Sequence, residues 1–238
     1  MEAYDLSAER TMVTADSPVG AFARRCLDLV AASALILLFL PVMIAIAVAV
    51  RLDSRGPAMF RQRRVGYRER QFTVYKFRSM RLDADEERHR QYISALIGTD
   101  DAAKAQAEAD AANGGEGEGE TLYKLAVDDR ITPVGRRIRS WSVDELPQLF
   151  NVVLGDMSLV GPRPAIPYEV ESYPAWYSKR FAVKPGLTGL WQVSGRNQRT
   201  YEEMVSLDID YAENRSFLGD LAILAKTPRA VLGRKGVA

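Results

Sequence analysis

The sequence contains very few residues of two types that build common kinds of site. Its 238 residues include one cysteine, Cys26, and one histidine, His89. A single cysteine excludes an intrachain disulfide, and nothing in the chain indicates an oxidising compartment. His89 lies in a charged run, where a solvated surface residue is the ordinary interpretation. We therefore exclude a histidine-dependent catalytic triad and a histidine-rich metal site.

The chain also lacks an excess of charge of one sign. Its 32 basic and 31 acidic side chains give a net charge of +1, which argues against a general nucleic-acid-binding protein. The charge is unevenly distributed, because residues 51–82 are strongly basic and residues 83–120 are acidic. The basic segment predicts a surface that faces anionic groups.

One long apolar run interrupts this charged composition. From Leu29 to Val50 the chain has no charged residue, and Ser33 is the only polar side chain. About 22 residues at ~1.5 Å each reach ~33 Å, enough to cross a hydrocarbon core of ~30 Å. The run is too long for the apolar region of a cleaved signal peptide, and an arginine-rich segment follows it. We therefore predict a membrane helix over 22–52, after a loosely ordered tail at 1–21.

Two topologies remain open for this helix. Pro41 lies near its middle, where the missing N–H predicts a kink or break. Basic residues flank both ends, with Arg24 and Arg25 before the run and Arg51 and Arg55 after it. The positive-inside rule places both ends on the cytoplasmic face, which favours a re-entrant helix. A straight spanning helix is the alternative.

The rest of the chain predicts a mainly α (α+β) catalytic domain over 53–238. Ala58–Val65 and Gln71–Phe77 are predicted to form a small antiparallel β-hairpin. Asp100–Glu120 is rich in alanine, acids and glycine, and predicts a mobile insertion, about 100–121. The remaining predicted helices are Leu82–Ile97, Val134–Arg139, Tyr201–Tyr211 and the apolar, basic Phe217–Leu232, which is expected to lie in the membrane interface.

The segment Ser142–Pro164 carries the strongest chemical signal. Ser142 and Glu145 have the spacing of a capping box, and apolar residues then recur at helical spacing. Asp144 and Glu145 form a carboxylate pair that suits a divalent metal, and Arg163 stands between two prolines. Because acidic pairs recur elsewhere in the chain, the alternative is that these two acids only complement the helix dipole.

A second segment, Lys184–Asn197, predicts an irregular loop that binds an anion. Its three glycines and one proline are incompatible with a regular helix, and glycine lets the backbone approach a ligand closely. Exposed N–H groups beside Lys184 and Arg196 suit a phosphate, and Trp191 suits stacking on a base or sugar. An ordinary surface loop is the alternative.

These motifs together resemble the bacterial sugar transferase family, the monotopic polyprenyl-phosphate phosphoglycosyl transferases. The resemblance runs from about residue 22 to the C-terminus, apart from the segment near 100–120. It is carried by Arg25-Cys26-Leu27-Asp28, Gly56-Pro57, Arg64-Val65-Gly66, Tyr75-Lys76-Phe77-Arg78-Ser79-Met80, Asp144-Glu145-Leu146-Pro147-Gln148-Leu149, Gly155–Pro164, Lys184-Pro185-Gly186-Leu187-Thr188-Gly189, Ser194-Gly195-Arg196-Asn197 and Leu207-Asp208.

The resemblance implies transfer of a sugar-1-phosphate, galactose or glucose, from a UDP-sugar to polyprenyl (undecaprenyl) phosphate, with release of UMP. Such a step opens exopolysaccharide, O-antigen or other glycoconjugate synthesis at the cytoplasmic face of the bacterial inner membrane. Asp144 would be the nucleophile, assisted by Glu145, and both carboxylates would hold Mg²⁺. The implied phosphate and substrate ligands are Arg163, Arg139, Lys184, Arg196, Asn197, Trp191 and Asp208.

Three points limit the resemblance. Family members often carry Ser-Pro at the helix break, whereas this chain has Leu40-Pro41. Since no other long apolar run precedes Arg24, we expect a compact member, and the polytopic transferases are excluded. The oligomeric state is not determined by the sequence, although a homodimer is compatible with it.

Two other classes of protein remain as alternatives: a non-catalytic membrane adaptor that binds anionic lipid, and a signal-anchored periplasmic protein.

Overall fold

A computed structural model describes residues 17–81, residue 97, residues 131–195 and residues 200–232. Over these residues the fold is mostly helical, as predicted, with an N-terminal apolar helix and an antiparallel hairpin. The helices are α1 (Pro18–Asp53), α2 (Pro133–Ser140), α3 (Gln148–Leu154), α4 (Pro167–Glu171), α5 (Leu190–Val193), α6 (Tyr201–Asn214) and α7 (Phe217–Leu232). The strands are β1 (Met59–Val65), β2 (Gln71–Phe77), β3 (Ser158–Val160) and β4 (Gly186–Thr188).

Helix α1 is continuous over 36 residues. Ser17 caps its N-terminus by accepting a hydrogen bond from the Gly20 N–H at 3.1 Å, and Pro18 occupies the first turn, where no N–H is needed. Pro41 lies inside the helix and does not end it. The helix assignment therefore continues through Pro41, and the predicted kink at this residue stays a prediction.

One stripe of α1 packs along the domain for most of its length. Ala32 joins the main core cluster with residues of α3, and Met43 and Val50 join a second cluster with Phe77 of β2. The remaining apolar face is exposed. Among the described residues, α1 is the one helix that is long and apolar enough to cross a membrane by length and composition. Its large exposed apolar residues are Val19, Phe22, Leu29, Val30, Leu37, Leu38, Leu40, Val42, Ile44, Val48 and Leu52.

The predicted hairpin is confirmed within one residue of its expected bounds. Strands β1 and β2 pair antiparallel, in a register from Met59↔Phe77 to Val65↔Gln71. The loop between them contains Arg68 and Glu69 in the left-handed region, with φ values of 54° and 60°. Val74 of β2 is buried in the main core and fixes the hairpin to the domain.

The predicted capping box at Ser142 is wrong. Ser142 has a left-handed backbone (φ 55°), makes no side-chain cap, and precedes a 3₁₀ turn over Val143–Glu145. Helix α3 begins only at Gln148, after Pro147. Pro147 has no N–H to donate to the carbonyl oxygen of Val143, which accepts instead from the Leu146 N–H in a tighter turn.

The chain from Ser158 onwards contains elements that the sequence patterns did not reveal. Strands β3 and β4 form a short parallel pair, Ser158↔Gly186 and Val160↔Thr188, and α5 follows. Helix α6 begins with a capping box between Thr200 and Glu203. The predicted helices at Tyr201–Tyr211 and Phe217–Leu232 are confirmed as α6 and α7. The predicted helix Leu82–Ile97 and the insertion Asp100–Glu120 lie outside the described residues, except for residue 97.

Candidate active site

The carboxylate pair lies on the 3₁₀ turn between α2 and α3. Asp144 and Glu145 are both half-buried. The turn is anchored by Ser142, whose N–H donates to the carbonyl oxygen of Arg139 at 2.9 Å. The predicted phosphate ligand Arg139 thus lies one turn before the pair, half-buried at the end of α2.

Lys76 is a site residue that was not among the predicted ones. Its Nζ atom lies 2.8 Å from Glu145 Oε1, and the two side chains are 20% and 37% exposed. Alternation along β2 supplies the signal that could have found it, because Lys76 shares a face with buried Val74. The pairing fixes one of the two carboxylates and adds a cation to the site.

Helix α3, which follows the carboxylate pair, is held by side chains from both sides. The buried Asn151 side chain accepts from the Tyr75 N–H at 3.1 Å and donates to the Thr73 carbonyl at 2.6 Å. At the other end, Arg25 of α1 donates to the carbonyl oxygens of Val152 and Val153 at 2.7 and 2.9 Å. A cation there satisfies carbonyls that a helix leaves without partners and complements the dipole. The position of the turn is thereby tied to both the hairpin and α1.

Arg163 is exposed on a loop whose backbone is bonded at every residue from 161 to 165. Two of the partners are buried arginines that donate to carbonyl oxygens, so the loop is fixed from behind while the Arg163 side chain faces solvent. The bonds are Gly161 N–H to Thr188 O (2.9 Å), Gly186 N–H to Pro162 O (2.8 Å), Arg180 Nη2 to Arg163 O (3.1 Å), Arg64 Nη1 to Pro164 O (2.9 Å) and Val65 N–H to Ala165 O (2.8 Å).

Arg64 lies in the electrostatic neighbourhood of both halves of the site. Burial lowers the pKa of Arg64 to about 10; the cation of Arg163 lowers it further, and nearby acids including Glu145 oppose the shift. At neutral pH Arg64 is still charged. Glu145 of the carboxylate turn and Arg163 of the loop therefore both affect the pKa of Arg64, a residue of β1.

Asp208 and Arg180 form an ion pair beneath the Arg163 loop, and both side chains are 1% exposed. Burial raises the pKa of Asp208 to about 6, although Arg180 and the backbone amide of Arg163 both oppose that shift. Asp208, predicted as a substrate ligand, thus lies behind the loop that presents Arg163.

The elements described above lie within a known protein family, apart from Pro18 at the start of α1. A family model described as bacterial sugar transferase matches residues 19–234. The chain belongs to the bacterial sugar transferase family. The resemblance found in the sequence motifs is thereby confirmed.

Named relatives within this family cover most of the chain. It is 42% identical over 215 residues to the undecaprenyl-phosphate galactose phosphotransferase of Salmonella typhimurium, which covers 90% of this chain and 41% of that protein. It is 37% identical to the exopolysaccharide production protein ExoY of Rhizobium meliloti, over 92% of this chain and 89% of that one. It is 38% identical to the UDP-glucose:undecaprenyl-phosphate glucose-1-phosphate transferase of Caulobacter vibrioides, over 88% and 69%. The chain thus spans less than half of the first of these relatives.

Lys184, one of the residues predicted to bind the substrate, lies away from the carboxylate turn. Lys184 lies near Arg25, Asp28 and Asp156, at the opposite end of α3 from the turn, with its Nζ atom 3.8 Å from a Cβ built on Gly155. Burial and the neighbouring Arg25 cation lower the Lys184 pKa. This position joins α1 to the domain. A contact between Lys184 and the diphosphate stays a prediction.

Trp191 is 5% exposed and packs in a core cluster with Tyr177 and Tyr201. Its ring packs against protein here, and the predicted stacking on a base or sugar stays a prediction. The short helix α5 turns this side chain inward, which the glycine-rich pattern did not reveal. Arg196 and Asn197 lie outside the described residues, and their substrate contacts stay predictions.

The two carboxylates of the turn limit which metal ion would fit there. Among the described residues, no group of three or more His, Cys, Asp or Glu side chains converges on one point. Two adjacent carboxylates are sufficient for Mg²⁺, which keeps several waters and takes its other ligands from substrate phosphates. The residues present therefore fit a magnesium ion shared with a substrate and do not fit an all-protein metal cage.

Proposed function

We propose that this chain transfers a sugar-1-phosphate from a UDP-sugar to polyprenyl phosphate, releasing UMP and forming a polyprenyl-diphosphate sugar. The observation that carries the proposal is the meeting of the carboxylate pair with a cation from the hairpin. Asp144 and Glu145 are adjacent on one 3₁₀ turn, and Lys76 Nζ lies 2.8 Å from Glu145 Oε1. Adjacent carboxylates beside a cation suit a metal-bound diphosphate and a carboxylate nucleophile.

The proposed reaction has two displacements at one phosphorus atom. A carboxylate oxygen of Asp144 attacks the β-phosphorus of the UDP-sugar, and the bond to the oxygen bridging the α-phosphate breaks, so that UMP leaves with that oxygen. A phosphate oxygen of the polyprenyl phosphate then attacks the same phosphorus and breaks its bond to Asp144. The carboxylate is regenerated, and one difficult step becomes two easier ones.

The cations of the site take the phosphate groups. Arg163, held on its rigid loop, binds the transferred phosphate through its planar fork of donors. Arg139 follows as a second phosphate ligand at the end of α2. Glu145 assists Asp144, and Lys76 holds Glu145 in place through their ion pair.

Mg²⁺ is part of the proposal. Asp144 and Glu145 would hold the ion together with the substrate diphosphate. When bound, it supplies charge neutralisation for the diphosphate and for the departing UMP.

Two features of α1 support a monotopic arrangement at the cytoplasmic face of the inner membrane. Both halves of the helix pack on the same domain, from Ala32 to Val50, so a fully spanning helix would draw that charged domain into the bilayer. The outer face of α1 is apolar and exposed, as is Leu218 at the start of α7. A helix embedded from one side puts the carboxylate turn near the acceptor's headgroup phosphate while the nucleotide sugar arrives from the cytosol.

The donor sugar is galactose or glucose in this proposal, since both appear in the names of relatives. The test is a UMP-release assay with purified protein, a polyprenyl phosphate and a panel of UDP-sugars. We expect turnover with one of these donors and its abolition by Asp144→Asn. A labelled donor should leave its phosphosugar on the intact chain and not on Asp144→Asn. If no donor releases UMP, a membrane adaptor that binds anionic lipid is the better interpretation.

A further inference from the structure

The Arg163 loop contains a feature that the proposed reaction leaves unexplained. A loop that only had to present one exposed arginine would be fixed adequately by its two prolines and its bonds to β1 and β4. It is bonded in addition to Arg180, a guanidinium that is only 2% exposed as a residue and lies 17 positions further along the chain. A charge so deeply buried is costly and calls for a physical reason.

The hydrogen bonds of Arg180 give the physical reason for its burial. Its Nη2 atom donates both to the Arg163 carbonyl oxygen and to the Asp208 carboxylate, and its Nη1 atom donates to the Tyr173 hydroxyl at 2.9 Å. The Tyr173 hydroxyl in turn lies 2.6 Å from the Tyr201 hydroxyl. The guanidinium, which projects from the 3₁₀ segment at 175–182, is therefore held by Tyr173 just before that segment and by Asp208 of helix α6.

The ion pair reaches the Arg163 loop through one hydrogen bond. Arg180 Nη2 donates to the carbonyl oxygen of Arg163 at 3.1 Å, and the same guanidinium is held by the Asp208 carboxylate. The carbonyl of Arg163 is thus fixed by a buried cation that cannot easily move. Rotation of that residue, which would swing the exposed side chain, breaks this hydrogen bond.

We infer that Arg180, paired with Asp208, is a positioning residue that sets the direction in which Arg163 meets the substrate phosphate. This inference rests on the proposed function, because it assigns Arg163 to a phosphate. Arg180 touches no substrate and acts through Arg163. The effect is large enough to matter, because a misplacement of ~1 Å in a catalytic site costs roughly 100-fold in rate.

The experiment is a double-mutant cycle on kcat/KM for the UDP-sugar. Arg180→Lys keeps the positive charge and loses the planar fork that bonds two acceptors at once. We expect this change to lower kcat/KM by about 10-fold when Arg163 is present, and by less than about 2-fold in an Arg163→Ala background. The non-additivity is the signature of action through Arg163.

A matched control separates positioning from general destabilisation. Val205→Ala removes buried volume from the same helix α6 without touching the ion pair. It should lower the unfolding temperature and leave kcat/KM within about 2-fold in both backgrounds. If Arg180→Lys does not fold, Asp208→Asn, which keeps the size of the side chain, replaces it in the same cycle with the same expectation.

The outcomes distinguish this inference from the proposed function. Equal losses from Arg180→Lys in the two backgrounds would overturn the positioning role while leaving the reaction intact. Absence of UMP release by the unaltered protein would instead remove the proposed function. A loss by Val205→Ala that depends on Arg163 to the same degree as that of Arg180→Lys would also overturn the inference.

Discussion

Lys76 Nζ lies 2.8 Å from Glu145 Oε1 and so joins the second strand of the hairpin to the carboxylate pair. The hairpin, which carries no acidic residue of the site itself, thereby takes part in the candidate active site. The first prediction follows from this contact.

Lys76→Met is expected to lower the rate of UMP release by about 10-fold, because Glu145 loses the cation that orders it. The unfolding free energy should change by less than about 1 kcal/mol, since the pair is partly exposed and screened by solvent. Thermal unfolding and the UMP-release assay measure the two quantities. Lys76→Arg, which keeps the charge, is the control and should retain most of the activity. An unaltered rate in Lys76→Met would exclude this role.

Arg25→Met is expected to destabilise the protein by about 1–2 kcal/mol, because the last carbonyls of α3 lose their charged donors. The carboxylate turn at the other end of α3 should also become less ordered, so the rate of UMP release falls. Arg136→Met, at an exposed position on α2, is the control and should leave both quantities unchanged. Unfolding in a fixed detergent measures the effect, and equal stabilities of the two variants would contradict the prediction.

Gly161→Ala is expected to abolish activity, because a Cβ atom there would lie 2.4 Å from the carbonyl oxygen of Lys184 and 2.8 Å from the backbone nitrogen of Gly186. Backbone atoms cannot move aside as a flexible side chain does, so the Arg163 loop must shift. Gly219→Ala is the matched control, since its Cβ would meet only the Ser216 hydroxyl oxygen at 3.0 Å. A Gly161→Ala variant as active as Gly219→Ala would show that the loop tolerates the shift.

The stability of the protein should depend on pH through Asp208. Burial raises the pKa of this carboxyl from 3.8 to about 6, so between these values the folded protein binds the proton more tightly than the unfolded chain does. The contribution of Asp208 to the unfolding free energy therefore increases as the pH falls from about 6 towards 4. Above about pH 6 the buried carboxylate is ionised, and its destabilising effect on the fold is fully present.

Other carboxylates titrate in the same interval, so the prediction concerns a difference. The unfolding free energy of the unaltered protein minus that of Asp208→Asn is expected to rise as the pH falls from about 6 to 4. Denaturant unfolding at several pH values measures it. A difference that is flat or that falls over this interval would contradict a raised pKa for Asp208.

Much of the fold follows from local patterns. The hairpin, α2, α6 and α7 were all predicted within a few residues, because alternation and helical spacing act within one segment. The tight turn before Pro147 was not predicted: the capping-box spacing of Ser142 and Glu145 suggests a helix start, whereas Pro147 lacks the N–H that would continue an α-helix from there. The parallel pair of β3 and β4 was missed because its strands are three residues long and far apart in the sequence.

The amino-acid sequence by itself determined the family, the apolar helix and the carboxylate pair, since motif order and composition are local properties of the chain. Only the tertiary structure decided which charges meet: Lys76 with Glu145, Arg25 with the end of α3, and Arg180 with Asp208 behind Arg163. Only the tertiary structure shows that Trp191 lies in the core and that Lys184 lies near α1. The physical reason is that burial and ion pairing depend on contacts between residues tens of positions apart, which no local spacing records.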